Sequence, residues 1–271
     1  MQKNFTKELI VKPGTKVKLS KYDPEETLGW KKGHAMEASL EKTLQRLDSL
    51  QLLLYAEHKR ALLVVLQGLD AAGKDGTIRK VMSGVNPQGC KVTSFKAPSP
   101  EEAAHDFLWR VHKAVPELGD IGIFNRSHYE DVLIVRVHNL VPRDVWSKRY
   151  DEINKFESTL AENKVKILKF FLHISKDEQK KRFLKRIDDP DRRWKLSEAD
   201  FHERKFWDDY TAAYEDGLTK CSTDVAPWFI IPANKKWFRN LAVSHIVADA
   251  LESMKMKFPA PTVDISKLKL T

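Results

Sequence analysis

Lys74 stands in the run Gly68-Leu-Asp-Ala-Ala-Gly73-Lys74-Asp75-Gly76, directly after the apolar stretch Ala61-Leu-Leu-Val-Val-Leu-Gln67 and before the helix-forming Thr77-Ile-Arg-Lys-Val-Met. This spacing fits a loop that cradles phosphate. A strand delivers the chain to a tight turn whose backbone N–H groups point at phosphate oxygens. A lysine and the positive end of the following helix then add charge where the phosphates sit. The phosphate-binding set is therefore Gly68, Ala71, Ala72, Gly73, Lys74, Asp75 and Gly76. Asp75 departs from the common pattern, in which a Ser or Thr hydroxyl after the lysine binds Mg²⁺. A carboxylate there, with a second acid at Asp70 inside the loop, argues against an ordinary motor ATPase or GTPase. Small-molecule kinases of the thymidylate type carry an acid at that inner position, near the acceptor. Loop solvation and helix N-capping are the plainer roles for both aspartates.

A second group follows the apolar residues 121–124 as Asn125-Arg126-Ser127-His128-Tyr129-Glu130-Asp131. In an open α/β sheet, ligands gather at the carboxyl ends of the strands, which sends attention to this segment. Arg126 would project towards the phosphates, where a guanidinium fork stabilises charge on a moving phosphoryl group. The simpler alternative is that Asn125 and Ser127 turn the chain and that Glu130 and Asp131 open a helix. A third group is Lys180-Lys-Arg182-Phe-Leu-Lys-Arg186, leading to Asp191-Arg192-Arg193-Trp194-Lys195. In nucleotide kinases this place in the chain holds a mobile lid that lowers cations onto the phosphates and excludes water. Many charge runs are only solvated helix faces, but Pro190 breaks this one at the expected point.

The elements that must position these groups can be read from periodicity. Residues 1–33 look irregular and peripheral, with Pro13-Gly14, Asp23-Pro24 and Gly33 as breakers. Apolar Leu40, Leu44, Leu47 and Leu54 recur at helical spacing and predict a helix from about residue 36. Strands are predicted at 61–67, 91–95, 121–124, 165–174 and 228–231. The intervening helices include one opened by Ser99-Pro100 and running towards 115, and a closing helix over about 235–256. Alternating strands and helices indicate an α/β three-layer sandwich with a mainly parallel five-stranded sheet. Residues 34–271 then form one domain, with the lid at about 180–205.

The chain has 271 residues, of which 42% are hydrophobic, enough for a full core, and carries a formal net charge of +9. That excess calls for a polyanionic partner: nucleic acid, a membrane surface or a polyphosphorylated substrate. Two cysteines, Cys90 and Cys221, give no disulfide framework and suggest a reducing compartment. With no hydrophobic leader and no bilayer-length apolar run, a cytoplasmic location is expected.

The segments 68–76 and 124–131, with Phe170-Phe-Leu-His-Ile-Ser-Lys-Asp-Glu-Gln179 and Pro227-Trp-Phe-Ile-Ile-Pro-Ala-Asn-Lys235, together resemble the polyphosphate kinase 2 family from about residue 22 to 256. The resemblance implies a thymidylate kinase-like P-loop fold and phosphoryl transfer between inorganic polyphosphate and nucleotides. Asp75 is normal in that family. The short single-domain form is most similar to the subgroup acting on both AMP and ADP. On this reading Asp70, Lys74 and Arg126 are catalytic, and Mg²⁺, with Mn²⁺ as an alternative, is held by Asp70, Asp75, Glu130 and Asp131. Arg182, Arg186, Arg193 and Lys195 meet the phosphates from the lid, while Asn86, Arg126, Tyr129 and Glu130 meet the nucleotide. Transfer needs positioning and electrostatics and no protein nucleophile, so His128 is expected to fix its loop by a hydrogen bond. A homo-oligomer is expected, with no nucleic-acid or membrane partner. Two alternatives stand beside this reading. One is an ATP-dependent nucleoside monophosphate kinase of the thymidylate type. The other is a basic nucleic-acid-binding protein with a degenerate P-loop, although the spacing of Trp194, Trp207, Tyr210 and Tyr214 suits one buried helix face better than base stacking.

Overall fold

The computed structural model describes residues 4–264 and 268. In chain order the elements are α1 (Phe5–Leu9), α2 (His34–Glu57), β1 (Ala61–Gln67), α3 (Lys74–Val81), β2 (Cys90–Ser94), α4 (Pro100–Ala103), α5 (Trp109–His112) and β3 (Ile121–Asn125). They continue as α6 (Ile134–Val137), α7 (Arg143–Trp146), α8 (Arg149–Glu162), β4 (Val165–His173), α9 (Lys176–Asp188), α10 (Glu198–Glu203), α11 (Trp207–Lys220), β5 (Trp228–Pro232) and α12 (Lys236–Ser253). The five strands form one sheet in the order β2-β3-β1-β4-β5, every pair parallel.

Every residue of β1 is buried, because a central parallel strand is covered on both faces and both of its side-chain rows must be apolar. Leu62, Val64 and Leu66 enter the core shared with α2, α3 and α12. Ala61, Leu63 and Val65 enter the opposite core, shared with α8 and α11. This two-sided burial fixes the register, and with it the position of the loop at the carboxyl end of β1.

Two expectations need correction. The first is the peripheral N-terminal stretch. Phe5, Leu9, Val11, Val17 and Leu19 are buried, the Val11 amide donates to the Trp228 carbonyl at 2.8 Å, and Ile10 bridges Phe229 beside the outer strand β5. Breaker residues there shape a segment that closes the sheet edge, which composition does not reveal. The second is the helix expected from Ser99 towards residue 115. Ser99 does cap α4, with a complete capping box to Glu102, but the helix stops at Ala103 and resumes only at Trp109. Both cysteines are free, and no helix among the described residues is long and apolar enough to cross a membrane.

Candidate active site

The loop between β1 and α3 is built by glycine where no other residue fits. Gly68 has φ +151° and Gly73 φ +107°, both in the region that favours glycine. A Cβ on Gly68 would also lie 2.9 Å from the Leu172 carbonyl of β4. The chain then enters α3 at Lys74, leaving the first amides of that helix as donors without intrahelical partners. Lys74 Nζ donates to the Gly68 carbonyl at 2.6 Å. Burial pushes its ammonium pKa down, against an upward pull from Asp70.

Arg126 follows β3 with φ +62°, a left-handed conformation that costs a non-glycine residue about 1 kcal/mol or more. The Arg126 amide donates to the Leu66 carbonyl at the end of β1, and its guanidinium donates to Asp70 at 3.0 Å. Asn125 donates to Asp75 at 2.9 Å. Burial alone would raise the Asp75 carboxyl, but the Asn125 hydrogen bond with Lys195 and Lys74 outweighs it and lowers the pKa. Asp70, Lys74, Asp75, Asn125 and Arg126 therefore line one cavity of about 560 Å³, facing Arg186, Trp194, Lys195 and Asp200 across it. Lys195 comes within 3.7 Å of Asp75 and Arg186 within 3.9 Å of Asp200.

Two further cavities adjoin this centre. One, about 460 Å³, runs from Gly73, Asp75 and Gly76 along Arg79, Lys185, Arg186, Arg192, Lys195 and Lys236, with Asp191 as its only other acid. The other, about 290 Å³, runs from Asp70, Arg126 and Glu130 to Ile134, Trp207, Tyr210 and Tyr214. Burial raises the Glu130 carboxyl pKa, against the downward pull of Arg126 and Lys74.

Several predicted residues lie elsewhere. Asn86 caps the 3-10 turn Pro87–Gly89 that leads into β2, so it sits at the amino end of a parallel strand, opposite the P-loop; chain order cannot place it with the nucleotide. Tyr129 is 1% exposed and donates its hydroxyl to Glu157 at 3.0 Å, which makes it core. Asp131 turns from the cavity to pair with Arg149 at 3.2 Å. Burial pushes its carboxyl pKa up to about 6 in spite of Arg149 and Arg110. Arg182 spends all its donors within the protein: Glu178 at 2.7 Å, the Ala71 and Ala72 carbonyls at 2.8 and 2.9 Å, and the Ala233 and Asn234 carbonyls at 2.5 and 3.0 Å. It borders the basic cavity beside Gly73, but with its donors committed it is a strut between the P-loop and the end of β5. Arg193 folds back to donate to the Ile187 carbonyl at 2.8 Å, and its neighbour Arg192 faces the cavity instead. Trp194, expected on a buried face, is 77% exposed at the rim.

Sequence reading missed Arg79, Lys236 and Arg239, and within the lid run it did not single out Lys185 and Arg192. It also missed the buried ion pair Lys169–Glu157 at 2.5 Å, which holds His128 and Tyr129 from behind. Glu157 lies 3.2 Å from His128 Nε2, so the expected loop-fixing hydrogen bond of His128 exists, with Glu157 as partner. A single lysine inside the apolar run Ile167-Leu-Lys-Phe-Phe was the available signal, since a cation there must find a buried partner.

Among the described residues, no three or more His, Cys, Asp or Glu side chains group closely enough to hold a metal ion. The four predicted acids are thus not one cluster. Asp70 and Asp75 share a cavity wall, Glu130 lines the next cavity and Asp131 faces away. Mg²⁺ keeps several waters and takes one or two carboxylates together with substrate phosphates, a requirement that the oxygen donors of Asp70 and Asp75 fit.

Comparison with known proteins agrees with this geometry. The family model of polyphosphate kinase 2 matches residues 6–259. An AMP/ADP-polyphosphate phosphotransferase of Meiothermus ruber is 51% identical over 97% of this chain and 98% of its own. An ADP-polyphosphate phosphotransferase of Rhodopseudomonas palustris is 48% identical over 95% and 93%. The crystal structure of polyphosphate kinase 2 from Arthrobacter aurescens superposes with a TM-score of 0.93 at 44% identity, covering 98% of this chain and 95% of that one. A P-loop with an inner acid, an arginine at the end of β3 and a cation-lined extension of the cavity are here joined to a match over nearly the whole chain: the protein is a phosphotransferase and belongs to the polyphosphate kinase 2 family.

Proposed function

We propose that the protein transfers the terminal phosphoryl group of inorganic polyphosphate to AMP and to ADP. The observation that carries this reading is the basic cavity beside the P-loop. Eight cations line the path leading to Gly73: Arg182 and Arg239, which bond to the protein, and Arg79, Lys185, Arg186, Arg192, Lys195 and Lys236, more charge than a short donor needs and suited to a repeating polyanion. The resemblance of the chain to relatives named for AMP and ADP supports the choice of acceptors.

Donor phosphates would rest on the α3 amides and Lys74, with the acceptor approaching through the cavity lined by Glu130, Tyr210 and Tyr214. Arg126, held by Asp70 and a strained backbone, would neutralise charge as the phosphoryl group moves. Residues 180–205 act as the lid, with Lys195 and Arg186 supplying charge from above and water kept out when they close. A divalent metal is general in phosphotransferases of this kind. We assign Mg²⁺, with Mn²⁺ suiting the same donors, to Asp70 and Asp75; when bound it neutralises phosphate charge. A homo-oligomer and a cytoplasmic location belong to the same reading. For the former, α2 leaves Leu52 and Tyr55 exposed, and Val92 is exposed on the outer strand β2.

The test is nucleotide analysis after incubation with Mg²⁺, long-chain polyphosphate and either AMP or ADP, with parallel tubes in which ATP replaces the polymer. ATP formed from AMP and polyphosphate is the expected result. Product only with ATP as donor would hand the site to a thymidylate-type kinase.

A further inference from the structure

A cation removed from water needs a carboxylate or a full set of hydrogen-bond acceptors. Arg239, in the first turn of α12, is 2% exposed. Its Nη1 donates to the Ala72 carbonyl at 3.1 Å. Its Nε and Nη2 donate to one oxygen of its neighbour Asn240 at 3.2 and 2.9 Å. No carboxylate among the described residues pairs with it, and the one charged group that perturbs it is Arg182; burial, with that like charge, pushes its pKa down to about 10. Lys236, one turn before it, is likewise lowered by burial and by Arg182, Arg239, Lys185 and Arg192. The charge is uncompensated, and it lies directly under the phosphate loop. A Cβ on Gly73 would fall 1.9 Å from Arg239 Nη1, so the guanidinium lies directly against the loop backbone.

We propose that Arg239 is a positioning residue of the phosphoryl-donor site. It props the P-loop at Ala72 and supplies from beneath a positive charge whose counter-ion is the bound polyphosphate. The proposal rests on the donor site being at the P-loop, as argued above. Its physical content is a linkage. In the empty protein the charge is desolvated and repelled by Arg182, which stabilises nothing. When a polyanion occupies the loop, the same charge is compensated, so it favours the bound state over the free one. A residue that serves only as packing would do the reverse, supporting the empty fold and leaving affinity alone.

Arg239→Gln keeps a donor for the Ala72 carbonyl and removes the charge, whereas Arg239→Lys keeps the charge and loses the fork. In the full chain, with saturating ADP and Mg²⁺, the Gln variant should raise KM for long-chain polyphosphate about tenfold or more, the scale of one charged contact, with kcat within about threefold of wild type. Its Tm without ligand should be unchanged or higher, and the rise in Tm on adding polyphosphate should shrink. The Lys variant should recover most of the affinity. Equal KM values for the Gln and Lys variants, or a lowered ligand-free Tm with unchanged KM, would overturn the role. Wild-type turnover on polyphosphate is the control. Its absence removes the donor assignment itself, and Arg239's role with it, whereas normal wild-type turnover with equal variants removes Arg239 alone.

Discussion

Two regions of this molecule bury positive charge, and they treat it differently. Behind the 124–131 segment, Lys169 is fully buried and completely served. Its ammonium meets Glu157 at 2.5 Å, the Tyr129 hydroxyl at 2.8 Å and the Cys221 carbonyl at 2.6 Å, with the Tyr129 and Trp228 rings at 5.2 and 5.3 Å. Under and within the P-loop, Lys74 and Arg239 have uncharged oxygens as hydrogen-bond partners. Arg182 stands between the two types, since it reaches the loop carbonyls but also carries Glu178. A cation matched by a carboxylate is neutral as a unit and holds the fold. Lys74 and Arg239 keep uncharged acceptors as hydrogen-bond partners, with Asp70, Glu130 and Asp75 acting on Lys74 through space, and both lie at the loop where the function proposed above puts the donor phosphates.

The sharpest break of that comparison is Lys74→Ala. Turnover should fall by roughly a thousandfold or more with the folded state intact, since removing an electrostatic stabiliser of the moving group acts on rate. Near-normal activity would sink the assignment of the loop. Lys169→Met should do the opposite, costing about 3–5 kcal/mol of stability in urea titration because Glu157 is left charged and unpaired. Adding Glu157→Gln should restore much of the loss, and a loss under about 1 kcal/mol would erase the distinction between the two regions. Arg126→Ala should lower kcat by roughly a hundredfold; an unchanged rate places that guanidinium outside the site.

Stability against pH separates two buried acids. Burial would raise the Glu157 carboxyl, but Lys169 and His128 outweigh it and hold its pKa below the usual value. Its contribution is therefore present above the unfolded pKa and lost as pH falls through the folded one. Asp131 runs the other way. With its pKa raised to about 6 from 3.8, the native state binds the extra proton, so its contribution fades as pH rises through that window. In thermal scans between pH 4 and 7, Asp131→Asn should gain on wild type as pH increases. A constant gap would show that Asp131 does not titrate in the window.

The parts legible in the sequence share one property: they are local. Strand, loop and helix of the P-loop are contiguous, as are the all-apolar β1 and the Ser99 capping box, and each was readable from neighbours in the chain. Arg126 was legible because chain order in a parallel sheet sends the end of β3 to the same edge as the end of β1. The same rule, not carried through for Asn86, would have excluded it, since it precedes its strand. The lid cations were legible as a set but not one by one. Arg182 and Arg186 are one helical turn apart on α9, and which of them is consumed by carbonyls depends on where β5 ends.

The P-loop pattern with its unusual acid at Asp75, the order of strands and helices, and an excess of positive charge suited to a polyanion are written in neighbouring residues and composition. Only the tertiary structure decided which charges are buried and which are paired. The Arg239 contact to Ala72 spans 167 residues and the Arg182 contact 110, and the desolvation that gives such charges their meaning arises from packing of distant segments, which no local pattern encodes.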